Sequence, residues 1–123
     1  MAARSFKELR VWQNAMDMAM QIFEESKRFP SEERYSLTDQ IRKSSRSVAT
    51  NIAEAWRRRR YVAAFASKLN ESETESAETQ TWIEFARQCR YWEDRVCVEM
   101  DNRYEEILGQ LSAMIRDADR WCS

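Results

Sequence analysis

Seven basic side chains lie between positions 42 and 60, and they are the residues of this chain best suited to bind a charged ligand. Four of them are consecutive arginines, and the same stretch holds a single acid, Glu54. Guanidinium and ammonium groups bind phosphate oxygens, and this attraction weakens as salt rises. The stretch therefore predicts a nucleic-acid-binding surface formed by Arg42, Lys43, Arg46, Arg57, Arg58, Arg59 and Arg60.

A second interpretation of these charges is that other residues of the same protein neutralise them. Residues 71–84 carry five acids and no base. The arginines could pair with these acids in the same subunit or in the next one, or they could bind a different protein. The sequence leaves the three interpretations open: internal pairing, RNA or DNA, and a protein partner.

Catalytic chemistry finds little support in the residue types. The chain has no histidine, which removes the commonest general base and metal ligand. It has one glycine, so it has no glycine-rich phosphate loop, and Cys89, Cys97 and Cys122 lack the spacing of a metal site. We expect no enzymatic activity, no cofactor and no metal.

A polar stripe follows the apolar face of the same segment. It consists of Gln40, Ser47, Asn51 and Glu54, at helical spacing. Buried amides and carboxylates are costly unless they are hydrogen-bonded. We expect the stripe to fix helix register or subunit pairing, with Glu54 accepting from an arginine. The neighbouring Trp56 could stack on a nucleobase, although tryptophans at helical spacing more often anchor a core or an interface.

The elements that position these residues are predicted to be helices. One glycine and one proline in 123 residues are too few for the turns of a β-rich fold. The apolar periodicity predicts one domain, 1–123, that folds as an all-α, up-down antiparallel four-helix bundle with helices at about 6–29, 35–59, 61–88 and 94–121. The middle of the third helix is small and polar, which predicts either close approach of a neighbouring helix or fraying.

The composition also predicts which ligands and which cell compartment suit the protein. The net charge is −1, so any nucleic-acid surface must be a local patch. No stretch approaches the roughly 20 apolar residues of a membrane helix, and charged residues interrupt any early apolar run. We expect no membrane association and a cytoplasmic protein whose cysteines are reduced.

Several motifs of the chain resemble one known family. They are FKELRVWQ at 6–13, the Phe29-Pro30 pair, QIR at 40–42, NIAE at 51–54, AET at 77–79 before Trp82, and the Tyr91-Trp92 pair. These segments closely resemble the bacterial four-helix bundle proteins that are also called 23S rRNA intervening-sequence proteins. The resemblance covers nearly the whole chain, and its N-terminal half is the more specific.

The resemblance implies a ring-shaped homopentamer without enzymatic activity. Genes of this family can lie in insertions within large-subunit ribosomal RNA genes. Related proteins are accessory factors to the reverse transcriptases of diversity-generating retroelements, where a basic surface contacts nucleic acid and the polymerase. The resemblance therefore implies a non-catalytic binding or scaffold protein, with a purely structural oligomer or an accessory subunit of a polymerase as alternatives.

The chain departs from the family pattern at two positions where the family usually has glycine. Ala55 follows NIAE, and we expect a straighter, continuous helix there. Arg90 precedes Tyr91 at the exit of the third helix. A left-handed helix cap favours glycine, so we expect this turn to differ from that of the family.

Overall fold

The computed structural model describes residues 3–122, which form four long helices and a short one. Each long helix contacts the next along the chain, and the fourth also contacts the first. Residues 3–122 contain no strand, so the prediction of an all-α fold with four long helices is confirmed. The helices are α1 Arg10–Glu25, α2 Leu37–Arg57, α3 Val62–Gln88, α4 Asp94–Arg116 and α5 Ala118–Trp121.

Hydrogen bonds between α2 and α3 show that these helices run in opposite directions. Ser72 Oγ donates to the carbonyl of Val48 at 2.8 Å. Thr79, farther along α3, bonds through Oγ1 to Ser44 Oγ at 2.8 Å, and Ser44 lies earlier in α2. As the chain advances along α3 its partners recede along α2, as an up-down bundle requires.

The first helix is shorter than the predicted 6–29. Phe6–Glu8 is a separate 3-10 turn whose N-cap is Ser5, and the extended backbone of Leu9 (φ −73°, ψ 127°) divides this turn from α1. At the other end Ser26–Arg28 tightens into a 3-10 turn before Pro30. Leu9 and Phe29 are both buried, so the two breaks still deliver apolar side chains to the core.

The second helix begins at Leu37 rather than at 35, because Glu33 supplies its cap from outside the helix. Glu33 Oε1 accepts from Ser36 Oγ at 2.6 Å and from the N–H of Leu37 at 3.2 Å. Its Oε2 accepts from the hydroxyl of Tyr91 at 2.8 Å. The bonds from Ser36 and Tyr91 lower the pKa of Glu33, so the cap is charged at neutral pH.

Small hydroxylated residues make up the contact between α2 and α3. Each of their hydroxyls finds a partner, and at most 2% of their surface is exposed: Ser44, Ser45, Ser72, Ser76 and Thr79. Side chains of this size let two helix backbones approach closely. The small, polar middle of α3 is therefore a continuous, close-packed helix, and the fraying alternative is wrong.

The third helix agrees with its predicted bounds, whereas the fourth does not. The third helix begins at Val62 and ends at Gln88, within one residue of the predicted 61–88. The predicted helix 94–121 is broken at Asp117 (φ −102°, ψ 27°), so that α4 ends at Arg116 and α5 begins at Ala118. After this break, Trp121 of α5 packs against the core.

The core runs through the bundle between the four long helices. Its largest fully buried side chains are Tyr104, Phe65, Met18, Ile22, Ile41, Ile52, Leu69, Ile83, Met100, Ile107, Leu111 and Val48. Ala55 is fully buried and α2 continues through it, as its replacement of the family's glycine predicted. Within residues 3–122, no helix is long and apolar enough to cross a membrane.

Candidate nucleic-acid interface

A groove of about 470 Å³ lies on the outer face of the first half of α2. Four basic side chains line it, and Asp39 is the one acid among its lining residues. Among residues 3–122, none of these four cations forms an ion pair. We call this surface the α2 groove; it is lined by Arg34, Thr38, Asp39, Arg42, Lys43, Arg46, Ser47 and Thr50.

Contacts with the end of α1 fix the position of Arg42. Its Nε donates to Ser26 Oγ at 2.8 Å, and its Nη2 reaches the carbonyl of Phe23 at 3.5 Å. The guanidinium lies 4.8 Å from the centre of the Phe23 ring, and that of Arg46 lies 5.8 Å from the same ring. A cation over an aromatic face is attracted by the ring quadrupole, so Phe23 holds both charges at the groove.

The hydroxyl of Ser47 is available to donate into the groove. Asn51 Nδ2 donates to the Ser47 carbonyl at 2.9 Å and to Ser47 Oγ at 3.2 Å. Within residues 3–122, Ser47 Oγ accepts this bond and donates to no other residue, so its proton can bind a ligand acceptor. Charged donors beside hydroxyl donors are the groups that proteins use to contact phosphate oxygens.

The four consecutive arginines do not lie on one helix, contrary to the predicted span 35–59. Arg57 is the last residue of α2, and the N–H of Arg58 bonds to the carbonyl of Ala55 at 2.9 Å, which closes the helix. The next residues form the four-residue turn into α3, in which Arg58 and Arg60 are exposed. A chain that must reverse into an antiparallel helix has to leave the helical path here.

Arg57 alone of this run shares a helix face with the α2 groove. It follows Arg46 by eleven residues, which places it about 20° away around α2 and about 16 Å farther along the axis. Arg59 turns inward instead. Its Nε donates to the carbonyl of Trp56 at 2.9 Å, and its guanidinium lies 3.5 Å from the centre of the Trp56 ring.

Trp56 is a core residue in this structure. Only 5% of its surface is exposed, and the Arg59 guanidinium lies over one face of the ring. A nucleobase could stack on Trp56 only if Arg59 moved away. The geometry therefore favours the core-anchor interpretation of Trp56 over the base-stacking one.

The acids of α3 do not neutralise the predicted basic residues within one subunit. Lys68, itself on α3, pairs with one of these acids, Glu71, at 3.3 Å from Nζ, and with Glu54 of α2 at 2.8 Å. The bond from Glu54, and then that from Glu71, raises the pKa of Lys68. Among residues 3–122, no ion pair joins the arginines at 57–60 to α3, so same-subunit pairing is wrong, and pairing with a neighbouring subunit stays a prediction.

The four residues of the polar stripe differ in how far they are buried. Asn51 is buried, Gln40 and Ser47 are half-buried, and Glu54 is exposed. Glu54 accepts from Lys68 and not from an arginine, so that part of the prediction is wrong, because the facing residue of α3 is a lysine. The role of the stripe in helix register or subunit pairing stays a prediction.

Arg34 is the groove residue that sequence reasoning missed. It follows the 3-10 turn Ser31–Glu33 and precedes α2, so helical periodicity could not place it beside Arg42. The one feature of the sequence that could have indicated it is its position eight residues before Arg42. Among residues 3–122, no group of three or more His, Cys, Asp or Glu side chains is placed to hold a metal ion, and the three cysteines are free.

Comparison with known proteins adds a family and a fold. The family described as 23S rRNA-intervening sequence protein matches residues 7–113. No curated protein matches the chain. A crystal structure of a protein with unknown function from the S23 ribosomal protein family of Bacteroides thetaiotaomicron is similar, with a TM-score of 0.78 and 27% identity over 86% of this chain and 95% of that chain. Because the family match spans most of the sequence, this chain belongs to the family of 23S rRNA-intervening sequence proteins.

Proposed function

We propose that this chain is a non-catalytic, cytoplasmic protein that assembles as a ring-shaped homopentamer and binds nucleic acid. The phosphate contacts are made in the α2 groove, and Arg57, Arg58 and Arg60 extend them beyond the end of α2. The pentamer rests on the family resemblance. The name of the family connects it to 23S ribosomal RNA, so structured RNA is the first ligand to test.

The observation that carries this proposal is the unpaired charge of the α2 groove. Four cations and one acid leave a local excess of three positive charges on a chain whose net charge is −1. Phe23 and Ser26 hold Arg42 in place before any ligand arrives. A phosphate entering the groove therefore meets cations that need not break other ion pairs, which favours binding at low ordering cost.

The test is fluorescence anisotropy of labelled structured RNA and duplex DNA at about 50 and 200 mM salt. Three phosphate contacts on a duplex predict roughly a 40-fold loss of affinity over this range, because each contact releases condensed counterions. The groove variant changes Arg34, Lys43 and Arg46 to Gln. It leaves Arg42 in place, so the contacts to Ser26 and Phe23 survive and the variant should fold.

A matched control removes three exposed positive charges that lie away from the groove. Arg28, Arg95 and Arg116 have side chains that are 72–75% exposed, and each forms only a surface ion pair. The control variant, with these three changed to Gln, should bind like the wild type, while the groove variant should bind more weakly and lose the part of the salt dependence that its three missing phosphate contacts supply. Equal loss in both variants would mean that net charge, and not the groove, drives binding.

A second candidate function is a structural oligomer whose charges pair between subunits. The specific observation in its favour lies on α3: burial raises the pKa of Glu75, and the nearby charges of Glu78 and Glu71 raise it further. Lys68 pairs with Glu71, but within residues 3–122 neither Glu75 nor Glu78 forms an ion pair. A basic surface from a neighbouring copy would relieve this repulsion, and such an assembly would weaken as salt rises.

A further inference from the structure

A cavity of about 400 Å³ lies at the end of the bundle where α2 finishes. The N-terminal 3-10 turn, the start of α1, the end of α2 and α5 meet around it. Its lining includes Glu8, Arg10, Trp56, Arg59, Arg120 and Trp121. We call it the end cavity; none of its lining residues lines the α2 groove.

Two flat groups line the end cavity. The first is the guanidinium of Arg59, whose position is fixed by the Trp56 ring at 3.5 Å and by the Trp56 carbonyl at 2.9 Å. The second is Trp121, which α5 brings against the core and leaves half-buried. Nucleobases stack on tryptophan rings and on guanidinium planes in single-stranded recognition.

The charge of the end cavity is positive. Arg10, Arg59 and Arg120 line it, and within residues 3–122 none of them forms an ion pair. Glu8 is the one acid in the lining, and its Oε2 already accepts from the N–H of Arg4 at 2.8 Å. Three cations beside two flat surfaces are complementary to a ligand that is both aromatic and anionic.

We propose that the end cavity binds a single nucleoside phosphate. The base stacks on Trp121 and the Arg59 guanidinium, and the phosphate contacts Arg10 and Arg120. A volume of about 400 Å³ is near the lower end of the roughly 300–1,000 Å³ of ligand pockets, which suits one nucleotide and excludes a duplex. The site is separate from the α2 groove and binds whether or not the groove does.

The first test is a titration with AMP, followed by tryptophan fluorescence, alongside adenosine and ribose 5-phosphate. AMP should bind at least tenfold more tightly than either fragment, because only AMP supplies both the base and the phosphate. Trp121→Leu should lose at least tenfold in AMP affinity while keeping an apolar side chain on the core. Equal binding of AMP and ribose 5-phosphate, or unchanged AMP binding by Trp121→Leu, would overturn the proposal.

A second variant tests the same proposal in case Trp121→Leu does not fold. Arg10 and Arg120 are both exposed, so changing both to Gln should leave the fold intact and weaken AMP binding at least tenfold. The control changes Arg28 and Arg95, which are exposed and lie outside the end cavity, and should bind AMP like the wild type. Equal AMP affinity in the two double variants would contradict the proposed phosphate contact.

A 5′-phosphorylated tetra-adenylate tests whether the natural ligand is the end of a nucleic-acid strand or a free nucleotide. If the cavity holds the end of a strand, the tetranucleotide binds at least tenfold more tightly than AMP, and the groove variant reduces its affinity toward that of AMP. If it holds a free nucleotide, AMP and the tetranucleotide bind alike. Both results support the site, whereas no binding of either at millimolar concentration would exclude it.

Discussion

Arg90 adopts a backbone conformation that L-residues rarely take, with φ at 62°. It follows the last turn of α3, where the N–H of Arg90 bonds to the carbonyl of Arg87 at 3.0 Å and the N–H of Tyr91 bonds to that of Ala86 at 2.9 Å. This is the Schellman arrangement, in which glycine is the favoured residue. The turn persists with arginine because it delivers Tyr91 to Glu33 and Trp92 to the core.

Replacing Arg90 with glycine should therefore stabilise the protein. The left-handed conformation costs an L-residue about 1 kcal/mol that glycine does not lose, which predicts a rise in Tm of roughly 3–5 °C. Thermal unfolding followed by circular dichroism measures it. Arg90→Ala is the matched control, because it removes the same side chain but keeps Cβ, so its Tm should match the wild type. An equal gain for alanine would assign the effect to charge.

The sequence marked this position but predicted the wrong consequence. Because arginine stands where the family usually has glycine, we expected the turn to differ, and instead the backbone is left-handed all the same. The backbone preference of arginine was a poor guide here, because the residues that hold this turn in place are distant in the sequence. Glu33 is 58 residues from Tyr91, and no local pattern reports their contact.

Among the helices, the contact between α2 and α3 depends most on side-chain size. Ser72 is fully buried on α3 and donates to the carbonyl of Val48. Ser72→Leu should force the two helices apart and remove this donor, at a cost of roughly 1–3 kcal/mol. Thr74→Leu, on the exposed side of the same helix, is the control and should cost little. Urea unfolding measures both, and equal effects would mean that the contact is not close-packed.

Periodicity predicted these helices better than it predicted their ends. The apolar spacing of Leu37, Ile41, Val48, Ile52 and Ala55 located α2, and every one of these residues is buried. Its start was wrong because the cap comes from Glu33, and its end was wrong because the chain must turn toward α3. Helix interiors are governed by burial, which the sequence pattern reports, whereas helix ends are governed by specific hydrogen bonds.

Along the chain, a basic segment at 42–60 is followed by an acidic segment at 71–84. The sequence showed this segregation, but it could not show that the basic residues divide between a groove, an exposed turn and the inward-facing Arg59. It also could not show that α5 closes a cavity with Trp121 and Arg120, because that site combines residues from both ends of the chain. Both surfaces are products of tertiary packing.

The segregated charges lead to a prediction about assembly. If nucleic acid occupies the α2 groove, as proposed, then the groove cations are not used between subunits, and the oligomer should not depend on salt. Sedimentation velocity at about 50 and 500 mM salt should give the same mass, because the Debye length falls from roughly 14 to 4 Å over this range, which screens exposed ion pairs but not apolar contacts. The groove variant should sediment like the wild type.

A different result would identify where the charges are used. If the mass falls at high salt, and falls also in the groove variant at low salt, then the basic residues pair with the acids of a neighbouring α3. Glu75 is then the residue to follow, because a neighbouring cation would lower its raised pKa and assembly would release protons. Assembly would accordingly weaken as pH falls toward the pKa of Glu75, whereas an oligomer joined by apolar contacts would show no such dependence.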